Sequence, residues 1–170
     1  MHTQIIPPLL KAIDIMTLYL DKGLAHVAHA GVSEDTLLQA RLAPDMLTLA
    51  GQVQRLSDNS RYGAARLANK SAPAMADEEK SFAELKIRLA DTTSYLQSLP
   101  PPQFEQAESR EITLSFRSIA RTVSGHEYFN GILLPNVYFH LSIAHGILRS
   151  RGLAIGKRDF LGETLLENYR

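Results

Sequence analysis

The chain of 170 residues has no cysteine and no tryptophan, and its formal net charge is zero. Without cysteine there can be no disulfide framework, thiolate metal site, Fe–S cluster or thiol nucleophile. Eighteen Lys plus Arg balance eighteen Asp plus Glu, which removes the compositional case for a nucleic-acid or acidic-membrane partner. Met1 to Gln4 lack the basic start of a signal peptide, and Lys11 and Asp14 interrupt the apolar residues that follow. The longest apolar candidate, Leu9 to Leu24, carries Lys11, Asp14, Asp21 and Lys22, so no spanning helix is expected. A cytoplasmic location is expected instead. Apolar residues make up 45% of the chain, which supports one domain over 1–170 with a core of ordinary size. With thiols absent, the six histidines are the main source of metal or acid–base chemistry.

Apolar periodicity predicts four long helices. Ile6, Leu9, Leu10, Ile13, Met16, Leu20, Leu24 and Val27 recur at spacings of three and four, the period of one buried helical face, from about Pro7 to Ala30. Pro7 and Pro8 suit a first turn, and Gly31 suits the left-handed stop. Ser33 could cap a short turn of helix reaching Leu42. Ala43-Pro44-Asp45 reads as a second helix start, with a stripe from Met46 to about Asn69. Its small residues Gly51, Ser57, Ser60 and Gly63 imply close neighbours and an interior position. Asp77, Glu78 and Glu79 read as the acidic first turn of a third helix, which Pro100-Pro101-Pro102 must stop.

Ile112, Leu114 and Phe116 then alternate with polar residues as a strand does, and a second extended piece, 121–124, could pair with it across 117–120. The fourth helix is expected to start at Leu134-Pro135-Asn136 and to end at Arg149-Ser150-Arg151, with Gly152 beyond. Residues 155–162 read as a turn-like tail followed by a short polar end. The expected architecture is all-α, a four-helix bundle with a short hairpin-like insert between helices 3 and 4.

Catalytic motifs fail. His126-Glu127 opens like H-E-x-x-H, but Asn130 stands where the second histidine is needed. Gly156-Lys157 lacks the remaining residues of a phosphate loop, and Ser124 is not in a G-x-S-x-G setting. His26 and His29, three apart, could share a metal, but such residues more often help a helix end through its dipole. His145 lies about 140° round the helix from His140 and cannot join it on one metal through a single face. His140, mid-way along the fourth helix, follows Asn136 by four residues, so the two share a face. Two readings stay open: a core histidine bonded to a side chain of another helix, or a histidine that contacts a ligand or metal. Gln52, Asp58 and Asn59 of the second helix are the candidates to answer it across the core. The polar run Arg55, Asp58, Asn59, Arg61 and Arg66 otherwise reads as an exposed face.

The stretch Leu134-Pro135-Asn136-Val137-Tyr138-Phe139-His140, with Gly146-Ile147-Leu148-Arg149 and Gly156-Lys157-Arg158-Asp159-Phe160-Leu161-Gly162, resembles a bacterial and fungal family of unknown function in the DinB/YfiT-like superfamily of metalloenzymes. Ala43-Pro44-Asp45-Met46, Gln52-Val53-Gln54, Asp58-Asn59 and Ala65-Arg66-Leu67 agree with it. The resemblance implies an up-down-down-up four-helix bundle, commonly a homodimer. It also implies a metal site of one histidine from the second helix and an H-x-x-x-H pair on the fourth. No histidine occurs between His29 and His126, and the pair is represented only by Asn136 and His140. One imidazole with amide or carboxylate partners is a poor zinc or nickel site. The expectation is therefore a bundle with a degraded metal site and no bound metal or cofactor, binding a small molecule near Gln52, Asp58, Asn59, Asn136 and His140. The alternative is a metal-dependent hydrolase or transferase with a rearranged site on His140 and Asp58. A pure interaction module would instead expose a large apolar patch.

Overall fold

The computed structural model describes residues 1–116 and 119–162. The expected bend across 117–120 and the polar end therefore fall largely outside the described residues. Four long helices share one core: α1 (His2–Ala30), α3 (Leu49–Ala68), α4 (Phe82–Gln97) and α6 (Leu134–Ser150). α1 and α3 each lie against both α4 and α6. Between them are α2 (Glu34–Leu38), the antiparallel strands β1 (Glu111–Phe116) and β2 (Ile119–Ser124), and α5 (Gly125–Tyr128), and α7 (Lys157–Leu161) follows the last of them. The strands pair from Glu111 opposite Ser124 to Leu114 opposite Arg121; β1 follows the alternation of apolar and polar residues, and β2 begins two residues before the expected 121–124.

Several helix ends differ from expectation. α1 begins at His2, five residues before Pro7, and both prolines lie inside it. Ile5 and Ile6 are buried and hold this extra turn in the core, while Thr3 and Gln4, whose carbonyls lose their proline partners, are exposed. Leu24, expected in the buried stripe, is exposed; Gly23 and Val27 carry that face instead. Gly31 ends the helix at φ 66°, its N–H on the Val27 carbonyl. Ser33 caps α2 by accepting from the Thr36 N–H, but that helix stops at Leu38 rather than Leu42.

Ala43-Pro44-Asp45 does not start α3. It forms a turn closed by the Met46 N–H on the Ala43 carbonyl at 3.0 Å, with proline at the second position, which a type I turn also favours. The real cap is Thr48, whose side chain accepts from the Gly51 N–H. Likewise Asp77, Glu78 and Glu79 precede α4, whose cap is Ser81 accepting from the Glu84 N–H. Both errors share a cause: proline and acidic residues favour turns as readily as first helical turns, and only the capping hydroxyl separates the two.

The fourth long helix, α6, does begin at Leu134 with Pro135 in its first turn, as expected, but the helical chain starts earlier and reaches it without a break. Ser124 opens α5 with a capping box to Glu127, a π-helical stretch Phe129–Leu133 follows, and α6 continues from it. The π turn carries the chain past Pro135, which can offer no N–H to the preceding turn. Leu133, within the π turn, packs where a Cβ on Gly63 would stand. The helical span Gly125–Ser150 is long and apolar enough, by length and composition, to cross a membrane. This corrects the expectation that no such span exists. Here its inner residues Leu133, Val137, Leu141, Ala144, Ile147 and Leu148 belong to the shared core. Beyond α6 the expected turn-like tail contains α7, a short helix whose Asp159 accepts from the Gly156 N–H at 2.7 Å and pairs with Lys22 of α1.

Candidate functional site

Gln52 lies in the first turn of α3, directly after the Thr48 cap, and is 2% exposed. Its amide nitrogen donates to the Leu47 carbonyl at 3.2 Å, and its Oε1 lies 2.8 Å from Nδ1 of His140 on α6. The two bonds fix each other. Reversing the amide would set its oxygen against the Leu47 carbonyl oxygen, acceptor against acceptor. Oε1 therefore faces the ring and accepts, so Nδ1 carries the proton and Nε2 is a bare lone pair.

His140 is 9% exposed. Burial, with a smaller contribution from the Arg55 charge, pushes its pKa down to about 4, so the ring is neutral at neutral pH. Among the described residues Nε2 bonds to nothing, yet it is not one of the fully buried orphaned atoms, which places it at the solvent boundary. The ring of Phe139 stands edge-on to His140 at 5.4 Å between centroids and is itself 54% exposed. Leu42 and Leu47 are exposed on the loop before α3, and Leu42 covers Gly146 of α6.

The other expected residues are not brought to this imidazole. Asn136 is exposed, and its amide donates to the Ile132 carbonyl of its own helix at 2.7 Å. Asn59 is aligned with Gln52 but two turns on, about 10 Å along the axis. Asp58 is about 120° away round α3 and is engaged by arginines: Arg61 Nη2 at 2.6 Å, Arg88 Nη2 at 2.7 Å and Arg55 Nη2 at 3.1 Å. Arg88 of α4 also donates to Glu79 at 2.7 Å, to the Ala76 carbonyl at 2.8 Å and to Ser57 at 3.2 Å. Burial raises the Glu79 pKa, but hydrogen bonds from Arg88 and Gln54 outweigh it and hold the carboxyl below its ordinary range.

The expected exposed polar face of the second helix is therefore in part a buried charge network. Arg61 is fully buried, with Nε and Nη1 unpartnered among the described residues. Sequence reasoning missed it, although Arg61 follows Ser57 by four residues and precedes Ala64 by three, within the small-residue stripe. Arg88 shows the same signal, between Leu85 and Thr92 on the apolar face of α4.

A second imidazole is placed similarly. Tyr19 of α1 is buried, and its hydroxyl lies 2.7 Å from Nδ1 of His145. Burial, then the nearby Asp159, raise the Tyr19 pKa, so the phenol keeps its proton. His145 and His140 thus engage different helices. Among the described residues no group of three or more His, Asp or Glu side chains is arranged to hold a metal ion. One cleft of about 280 Å³ lies between α1 and α7 and includes Lys11, Asp14 and Asp159; another, of about 310 Å³, lies beside Arg88 and Glu79. Neither is lined by His140.

A mostly helical chain with a two-stranded hairpin, and α3 and α6 facing each other across the Gln52–His140 bond, is a DinB-like domain. The structure is similar to the crystal structure of a DinB family member protein from Shewanella denitrificans, with TM-score 0.89 and 32% identity over 95% of this chain and 91% of that one. Residues 1–161 match the family described as "Domain of unknown function (DUF1993)", and the chain belongs to that family. No curated protein matches it.

Proposed function

We propose that this protein is a helical bundle of the up-down-down-up type that keeps a degraded metal site as a small-molecule site, with His140 as its binding atom. The observation that supports this reading is the bare Nε2 of a neutral imidazole at the solvent boundary, with ring and tautomer held by Gln52. The ring would accept a hydrogen bond from a ligand, Gln52 would orient it, and Phe139 and Leu47 would contact the ligand body. A homodimeric state and a cytoplasmic location belong to the same proposal and draw on the family resemblance.

The rearranged hydrolase or transferase site gains no support, because its second residue, Asp58, is committed to three guanidinium groups. The exposed Leu42, Leu47 and Phe139 favour a second reading, a surface for a protein partner. A thermal-shift screen of small molecules against wild type and His140→Ala separates the two. Binding raises the melting temperature by mass action, so compounds that stabilise wild type and lose the effect in the variant are expected. A screen in which no compound distinguishes the two proteins would contradict the site and leave the surface reading.

A further inference from the structure

The donors around His140 do not suit the metal that the family resemblance implies. One imidazole is present. The Oε1 of Gln52 faces Nδ1 of that ring and not the open side, Asn136 is bonded to its own helix, and Asp58 is held by arginines. Zinc and nickel select nitrogen- or sulfur-rich shells, and a single nitrogen does not make one.

We infer that the His140 site takes an uncharged molecule carrying a hydroxyl or comparable hydrogen-bond donor on a small apolar body, an alcohol or a phenol by class, and not a divalent metal ion. This rests on the reading of Nε2 as the binding atom and adds what that atom selects. A bare ring nitrogen offers a lone pair, so its complement is a donor. An anion brings no proton to that lone pair. An ammonium group would find no free carboxylate among these residues, since Asp58 and Asp77 are already paired with arginines. The neighbours shown at the pair are apolar: Phe139 stands edge-on to the ring, and Leu47 lies at the carbonyl that holds Gln52. Gln52 is a positioning residue here, since it acts only through the imidazole.

The test uses the full untagged chain labelled with nitrogen-15, near neutral pH, with the His140 ring nitrogens followed by NMR. The probes are phenol, toluene, benzoate and zinc chloride. Phenol is expected to move the unprotonated Nε2 resonance saturably, while toluene, benzoate and equimolar zinc leave it in place. In Gln52→Leu the resonance should shift toward a mixture of tautomers and phenol should bind about tenfold more weakly, the scale of one lost hydrogen bond, with the amide spectrum still that of a folded protein. If that variant unfolds, the four probes on wild type still decide. Stoichiometric zinc binding at Nε2, or an equal response to benzoate, would overturn the ligand class while leaving the site. An equal response to toluene would overturn the requirement for a donor. No response to any probe would overturn this inference and the binding role of His140 together.

Discussion

At the scale of single residues, burial sets the charge state of His140, and that has a pH consequence. Its folded pKa, about 4, lies below the ordinary value of about 6.5. Between those values the unfolded chain binds a proton that the folded one refuses, so stability is full above about pH 6.5 and falls as pH drops toward 4. The loss is on the order of 3 kcal/mol at most. His145, whose pKa is also lowered by burial, acts in the same direction. Urea unfolding across this range should show the slope in wild type and a shallower one in His140→Gln; equal slopes would remove His140 from the account.

The arginine cluster gives a second prediction at this scale. Asp58 is the shared acceptor of Arg61 and Arg88. Asp58→Ala should therefore destabilise by about 3–5 kcal/mol, the cost of buried charges left without their partner. Arg61→Leu should cost much less, because Arg61 already buries two guanidinium nitrogens without partners among the described residues and a buried ion pair is often replaceable by apolar packing. Denaturant midpoints of the two variants check the order, and Arg61→Leu proving the worse would reverse the assignment.

At the scale of elements, the close approach of the π turn to α3 depends on a missing Cβ. A methyl on Gly63 would enter the space of Leu133 Cγ and both its δ carbons, so Gly63→Ala should cost about 1–3 kcal/mol, the range for overpacking. Leu133→Ala in the same chain should recover part of that loss, a non-additivity that a double-mutant cycle measures. Gly125→Ala should be worse, because its methyl would meet the Ala107 carbonyl, which is backbone and cannot turn aside.

The elements also show what the sequence made legible. Alternation predicted β1, periodicity predicted the cores of α1, α3, α4 and α6, and Ser33 and Gly31 announced their caps. Proline and acidic residues misplaced the starts of α3 and α4, and the helical turns ahead of α6 were not anticipated. Pro44 serves a turn, Asp77 and Glu79 serve arginines, and Pro135 is carried through a helix by the preceding π turn. In the site, facing geometry put Gln52 among the three candidates for His140, and the structure joins that pair. The arginine network was not legible, because a buried charge looks like a surface charge until its partners from loop and neighbouring helix are known.

At the scale of the whole molecule, the neutral charge balance hides an uneven distribution. Several positive and negative groups meet in a cluster between α3 and α4, whereas the outer side of α6 around Phe139 carries Asn136, Ser142 and Gly146, with no charged residue on that helix before Arg149. The chain keeps a DinB-like fold with a single imidazole between α3 and α6. The central claim is that this imidazole serves as a hydrogen-bond acceptor and holds no metal. Elemental analysis of the protein, purified without a polyhistidine tag, tests it most directly. The prediction is far less than one equivalent of zinc, nickel or any other transition metal, unchanged in His140→Ala. One equivalent of metal in wild type that is lost in His140→Ala would contradict the claim.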